Sequence, residues 1–384
     1  MSVQVPTKRS APVKVLLIAP PIRVTGGQSV QANRLYSGLS RNSAVKVTFQ
    51  PTTSLLNFFE INLGSVPYLR TILNSLTYLS FLIWRAISHD VIHIFSAGYS
   101  SFLLIAAPAL VLGRLFRKKT ILHYHDGRAA DHLEKWPGTV ALCNLADVII
   151  TPSSFLVEIF AKFGLVAYPV PNILESRTYP FRPRKQLRPV FLHNRGLEEE
   201  YNVKCTLLAF SIIQKSYPEA RLVIAHDGSL RASLEDLACS LKLRNTSFTG
   251  AVSQDEILTL YNNSDIYLTS ANYDNFPGSI LEAFACGGPV IATRAGGTSW
   301  IVHDEQNGLL VACGDYREMA FAACRLLQEQ GLAESLSIAA LRDLNAYSWE
   351  NIEWQWIDLY TRLTRFSHVP EKVAAVPERE CSSK

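Results

Sequence analysis

Two carboxylates, Asp274 and Glu282, stand with seven residues between them in the stretch Ser270 to Thr293. An ionised carboxylate can hold hydroxyl groups through accepted hydrogen bonds. The residues between them read as the start of a helix. Asn275 suits the N-cap, and Pro277 the first helical position, where a missing N–H costs nothing. Gly287-Gly288 ends that helix and Pro289 prevents its continuation. Val290-Ile291-Ala292 then reads as a parallel strand buried on both faces. The free N–H groups of such a helix start attract phosphate. Taken singly, each carboxylate reads as a solvated residue. The whole string reads as a site.

Cations and glycines elsewhere suit the same chemistry. Arg195 follows the apolar run Val190-Phe191-Leu192 and can meet a phosphate or, more plainly, pair with Glu198 or Glu199. His125 closes the run Thr120 to His125 and is followed by Asp126-Gly127-Arg128. A lone strand-end histidine is often only packed or solvated, yet parallel strands present ligands at their carboxyl ends. Gly26-Gly27 follows the first apolar run without forming a GxGxxG fingerprint, which argues against a nicotinamide enzyme. No Asp-x-Asp motif sits in a convincing loop, so no metal is expected.

These residues need a scaffold that alternates strands and helices. Strands are expected at 14–20, 45–49, 90–95, 120–125 and 147–152, with a helix over 29–39. The Pro-rich, basic stretch from Pro169 to Pro189 breaks the periodicity and reads as a hinge. Alternation resumes with strands at 190–192, 221–225, 246–248 and 265–268 and helices over 204–215 and 231–241. Such alternation implies parallel sheets wound by right-handed crossovers. An aromatic amphipathic helix is expected over 348–363, and a polar, disordered tail from about 368.

Composition agrees with two ordinary domains: 384 residues, 48% hydrophobic and 18% charged. The net charge of +4 hides an asymmetry, because residues 1–170 hold 16 Lys/Arg against 7 Asp/Glu. That half can face anionic lipid or a phosphorylated acceptor, although ordinary surface charge explains the same count. No nucleic-acid motif accompanies it. Seven widely spaced cysteines without a CxxC read as reduced thiols in a cytosolic protein, with neither a disulfide framework nor a zinc site. The polar Met1–Pro12 lacks the apolar core of a secretory signal. The apolar runs 76–84 and 102–112 are shorter than the roughly 20 residues of a spanning helix. Arg114, Arg117, Lys118 and Lys119 follow the second, which suits contact with an anionic bilayer.

At 270–293 the chain resembles glycosyltransferase family 4, the retaining nucleotide-sugar enzymes of the GT-B fold. That family has Glu-(seven residues)-Glu here, then Ala and Gly-x-Pro-Val; this chain has Asp274, Glu282, Ala283 and Gly287-Gly288-Pro289-Val290. The resemblance is strong from about 189 to 366 and weaker before. It implies an α/β architecture of two facing Rossmann-like domains with parallel sheets and a C-terminal helix crossing back to the N-terminal domain. Residues 1–170 are then an acceptor-binding domain, 171–189 a hinge, 190–347 the nucleotide-sugar domain, 348–367 the crossover helix and 368–384 the tail.

The resemblance also implies roles. Glu282 would hold the ribose hydroxyls, Asp274 and His125 would lie near the transferred sugar, and Arg195 would bind phosphate. The family's second cation is a Lys in a Lys-Gly pair. Tyr201-Asn202 stands there, with Lys204 the nearest substitute. His226 replaces a family Gly and either contacts a substrate or points away. The N–H groups of Phe276, Gly278 and Ser279 would face the sugar and phosphates, and Gly26 and Gly27 correspond to the family's N-terminal Gly-rich loop. The implied activity is transfer of a hexose from a nucleotide-sugar, a UDP-sugar first and GDP-mannose next. The acceptor would be a glycolipid, a lipid-linked saccharide or a polysaccharide. No cofactor beyond the co-substrate is implied, nor a metal for the chemistry. The expected location is cytoplasmic, with peripheral contact at the inner face of a membrane. A degenerate binding subunit, a phosphorylase and a nucleotide-sugar epimerase are the competing readings.

Overall fold

The computed structural model describes residues 11–21, 26–52 and 67–365, with the side chains of 67–72 left aside. The expected tail at 368–384 lies outside the described residues. The chain divides into two compact units. The first comprises the described parts of Met1–Thr151, Phe160–Val170 and Glu353–Lys384; the second comprises Pro152–Ile159 and Pro171–Ile352.

In the first unit six parallel strands, β1 (Val13–Ala19), β2 (Val45–Pro51), β3 (Val91–Ser96), β4 (Lys119–Tyr124), β5 (Val148–Thr151) and β6 (Ala167–Pro169), lie in the order β2-β1-β3-β4-β5-β6. The second unit repeats the plan with β7 (Val190–Asn194), β8 (Arg221–Ala225), β9 (Thr246–Phe248), β10 (Ile266–Thr269), β11 (Val290–Thr293) and β12 (Leu309–Val311), in the order β12-β11-β10-β7-β8-β9. Their cores are the Val, Ile and Leu runs that helices cover on both faces, as in Leu16, Leu17, Ile18, Leu222, Ile224 and Ile291. β6 and β12 were not among the expected strands. Each sheet reverses its winding once, between β1 and β3 and between β7 and β10. The crevice at the carboxyl ends of such a pair is where open α/β sheets bind ligands.

The apolar run 102–112 is helical: a π-helical stretch, Phe102–Ala106, leads into the helix Ala107–Leu115, and Pro108 sits in that helix's first turn. Where a hinge was expected at 171–189, the segment groups with the second unit and is tied to it. Arg188 bonds buried Asp265 through its backbone N–H at 2.7 Å and its Nε at 3.0 Å, and Arg182 joins the same carboxylate. Arg184, itself buried, donates to the Tyr261 and Ser264 carbonyls at 2.8 and 2.9 Å. Burial would push the Asp265 carboxyl up, but the hydrogen bonds from Arg188 and Arg182 outweigh it and hold it below its usual range.

From Glu353 the helix Trp349–Arg365 groups with the first unit. Asn42 Nδ2 donates to Glu353 Oε1 at 2.9 Å, and the Tyr360 hydroxyl lies 2.7 Å from His93 Nδ1. His93 Nε2 is 3.2 Å from His123 Nδ1, and the His123 and His125 rings are 4.2 Å apart. Trp356 and Phe95 pack against the same row. Burial, reinforced by the neighbouring His125, pulls the His93 imidazole down to about 3; burial brings His125 to about 3 and pulls His123 well below its ordinary value. All three are therefore neutral at neutral pH.

An imidazole depressed on folding supplies stability that is full above its unfolded value and is lost as pH falls toward the folded one. Each of these histidines should cost the first unit about 2 kcal/mol between about pH 7 and 5. Urea midpoints measured across that window should fall steeply, and less steeply in His93→Gln. A flat profile would contradict the neutral row.

Candidate active site

The loops after β7 and β10 meet where the second sheet reverses. Arg195 follows β7 and Asp274 follows β10, and their side chains pair at 2.6 Å (Nη2 to Oδ2). The guanidinium also lies over the Tyr201 ring, 4.3 Å from its centroid, and reaches Ser279 Oγ at 3.5 Å. Only 15% of the Arg195 side chain and 9% of that of Asp274 are exposed, so the site is withdrawn from water yet open at one side. Burial opposes the charge of Arg195, but Asp274 outweighs it and the guanidinium is held above its usual range. Burial raises the Asp274 carboxyl, with Arg195 and the backbone N–H groups of Asn275 and Phe276 pulling the other way. A buried pair of this kind is weak evidence for stability and better evidence for function. Arg195 does not pair with Glu198, which instead accepts from the Ser229 backbone N–H at 2.9 Å.

Glu282 sits on the helix Gly278–Ala285 and is held by two tyrosines. Tyr179 Oη donates to its Oε1 at 2.9 Å, and Tyr261 Oη lies 3.2 Å from Oε2. Gln254 Nε2 donates to Tyr179 Oη and Asn194 Nδ2 to Tyr261 Oη, each at 2.9 Å. The carboxylate is thereby fixed in orientation.

The local start of that helix differs from expectation. The helix begins at Gly278, and Pro277 occupies the N-cap with extended backbone. Asn275 is buried and accepts from Ser153 Oγ at 2.5 Å rather than capping. The Phe276 N–H turns back to the Asp274 carboxylate, because that buried charge takes the nearest donors. The N–H groups of Gly278 and Ser279 have no backbone partner among the described residues.

Two glycines clamp the loop from behind. Gly297 N–H donates to the Asp274 carbonyl at 2.9 Å. A Cβ on Gly297 would fall 1.6 Å from the Asn275 oxygen, and one on Gly296, whose φ is +52°, would fall 2.5 Å from the Asp274 oxygen. Sequence reading missed Gly296, Tyr179, Tyr261 and Asn194; the Gly296-Gly297 pair was the available signal.

Lys204 is exposed in the first turn of the helix Val203–Ser216. That turn is tied to the Asp274 loop: Asn202 Nδ2 donates to Asn272 Oδ1 at 3.1 Å, and Ser270 Oγ to the Asn202 carbonyl at 2.8 Å. His226 has φ +76°, the left-handed region that favours the glycine expected there. Burial, helped by the charge of Arg195, pulls its imidazole down. His125 belongs to the first unit. It is half-buried just beyond β4, stacked on Phe95 at 5.0 Å, and its Nε2 has no partner among the described residues. Gly26 and Gly27 open the helix Gly27–Ser40, and a Cβ on either meets nothing within 4 Å among the described residues. Among the described residues no cluster of His, Cys, Asp and Glu has metal-holding geometry.

Residues 177–343, which hold the whole Arg195–Asp274–Glu282 constellation, match the model for glycosyl transferases group 1. Residues 177–343 thus form a group 1 glycosyl transferase domain. An uncharacterized glycosyltransferase of Methanocaldococcus jannaschii is 34% identical over 143 residues, 37% of either chain. The alignment thus spans little more than a third of that relative. Glycogen synthase of Mycobacterium tuberculosis is 25% identical over 285 residues, 70% of this chain and 69% of its own. The crystal structure of Anabaena HepE in complex with UDP superposes with a TM-score of 0.70 at 16% identity, over 91% of this chain and all of that one (100%). The two Rossmann-like units therefore have the GT-B architecture.

Because Gly297 abuts the Asn275 backbone, Gly297→Ala should displace the Asp274 loop and destabilise the second unit by roughly 3 kcal/mol. Chemical denaturation would measure the loss, whereas Gly314→Ala, where a Cβ meets only open space, should cost only the strain of its positive φ. Equal losses in the two variants would disprove the clamp.

Proposed function

We propose that the protein is a retaining hexosyltransferase using a nucleotide-sugar, a UDP-sugar first and GDP-mannose next. The acceptor is a glycolipid, a lipid-linked saccharide or a polysaccharide. The observation that carries this reading is the largely buried Arg195, 3.5 Å from Ser279 Oγ at the start of the helix Gly278–Ala285, with Glu282 on the same short helix. A cation and a helix start together suit a diphosphate. Glu282, fixed by Tyr179 and Tyr261, suits the ribose hydroxyls. The fold neighbour with UDP bound supports uridine as the first base to test.

In the proposed reaction the anomeric carbon–oxygen bond breaks toward the diphosphate. Arg195, the Gly278 and Ser279 N–H groups and exposed Lys204 stabilise the charge that develops on the leaving oxygen. The acceptor oxygen attacks from the same face and passes its proton to that departing phosphate, so no protein nucleophile is required. Asp274 orients Arg195 and borders the transferred sugar. His125, neutral at neutral pH, offers an uncharged hydrogen-bonding group to the sugar. Gly26 and Gly27, whose Cβ positions meet nothing within 4 Å among the described residues, contribute backbone to the donor site. The reaction needs no metal. We place the enzyme in the cytoplasm, peripheral to the inner face of a membrane.

UDP-, GDP- and ADP-sugars tested for thermal stabilisation should give a shift with one nucleotide class. That shift should be lost in Glu282→Ala, and no shift with any donor at saturating concentration would refute the reading.

Given a turnover assay, Arg195→Ala should lower kcat by about 10²–10³-fold. Product anomeric configuration, read by NMR, should match the donor's, and chelators should leave the rate unchanged. Asp274→Glu should change the rate of an enzyme and leave a mere binding subunit indifferent.

A further inference from the structure

The first unit carries a surface that the donor site does not use. The helix Pro67–Ser88 turns Leu76, Trp84 and Ile87 outward at helical spacing, with Trp84 67% exposed. The neighbouring stretch Phe102–Leu115 turns Leu104, Val111 and Leu115 outward at the same spacing, with Leu115 69% exposed. Two contacts hold these helices side by side. Tyr78 Oη donates to the Ile105 carbonyl at 2.9 Å, and Lys118 Nζ to the Ile87 carbonyl at 2.9 Å. They connect β2 to β3 and β3 to β4, successive steps in one direction across the sheet, so right-handed crossovers set both on one face. Their outward stripes form one apolar surface about 16 Å along the helix axes.

Its charge is one-sided. From residue 73 to 119 the sole carboxylate is Asp90, whose Oδ2 already accepts from the Lys14 backbone N–H at 2.9 Å. Where the stripes end, Arg114, Arg117, Lys118 and Lys119 line an open groove of about 410 Å³ with Leu145 and Asp147. Asp147 pairs with Lys119 at 3.0 Å, which leaves Arg114 and Arg117 without an ion pair among the described residues. Paired amphipathic stripes with cations at their edge match the physics of a helix surface that lies in a bilayer interface. No described helix is long and apolar enough to cross a membrane.

We infer that this two-helix face docks the protein on an anionic phospholipid bilayer. Trp84, Ile87, Val111 and Leu115 enter the interface, and Arg114 and Arg117 meet lipid phosphates. The inference rests on the peripheral placement proposed above and supplies its surface and lipid chemistry.

The test is flotation of the full chain with vesicles of phosphatidylcholine, alone or mixed with phosphatidylglycerol. The chain should float with the mixed vesicles only, and less so as salt rises. Trp84→Ser with Leu115→Ser should weaken partitioning at least tenfold. Arg114→Gln with Arg117→Asn, the Asn chosen because Arg117 has φ +53°, should weaken it about 25-fold. Donor-induced thermal stabilisation, measured on the same samples, should be unchanged in both variants. Absent flotation, equal flotation on both vesicles, or wild-type flotation of both variants overturns the docking face. Flotation without any donor stabilisation would instead count against the transferase and leave this face standing.

Discussion

The second unit is organised around one buried ion pair between residues far apart in sequence. Arg195 and Asp274 leave different strands and meet because β7 and β10 are neighbours where the sheet reverses its winding. Either charge left alone in that place would carry a large desolvation cost, so the two loops are held to one geometry. The surroundings follow from that constraint. Tyr201 offers its ring face to the guanidinium, the Asn275 and Phe276 N–H groups turn to the carboxylate, and Gly296-Gly297 presses the loop from behind.

A site that handles a charged leaving group needs donors fixed before the reaction, because reorientation during the chemical step costs rate. The second unit holds its polar groups with hydrogen bonds reaching into its core. Asp265 gathers Arg182 and Arg188 and so seats the segment 171–189, while Arg184 fastens it to neighbouring carbonyls. Tyr179, from that segment, then reaches Glu282. A stretch rich in proline and arginine thus serves the site as a scaffold, and its charges are spent on buried contacts rather than on solvent.

The first unit solves a different problem with little charge inside. His93, His123 and His125 form a neutral row under Trp356 and Tyr360 of the last helix, while Arg114, Arg117, Lys118 and Lys119 lie at the surface beside the stripes of Leu, Ile and Trp. Their placement separates a hydrophobic interior, which could not hold a protonated imidazole cheaply, from a basic exterior suited to phosphate.

The order of strands and helices was legible in the residues, because buried parallel strands must be continuous apolar runs and glycine and proline punctuate them. The string from Asp274 to Val290 likewise announced a loop, a helix and a strand bearing carboxylates. Its fine structure was not legible. Asn275 had the side chain of a cap but is spent on Ser153, and Pro277 is displaced by one position, because the buried Asp274 charge competes for the local N–H groups. Tyr179 and Tyr261 carry no local signal at all; their meaning comes from a carboxylate 103 and 21 residues away. Sequence by itself determined the elements and the residue types available for chemistry, since periodicity and backbone preference are local. Tertiary structure alone decided which of them meet, since pairing across strands depends on the winding of the sheet and on which buried charge each donor must satisfy.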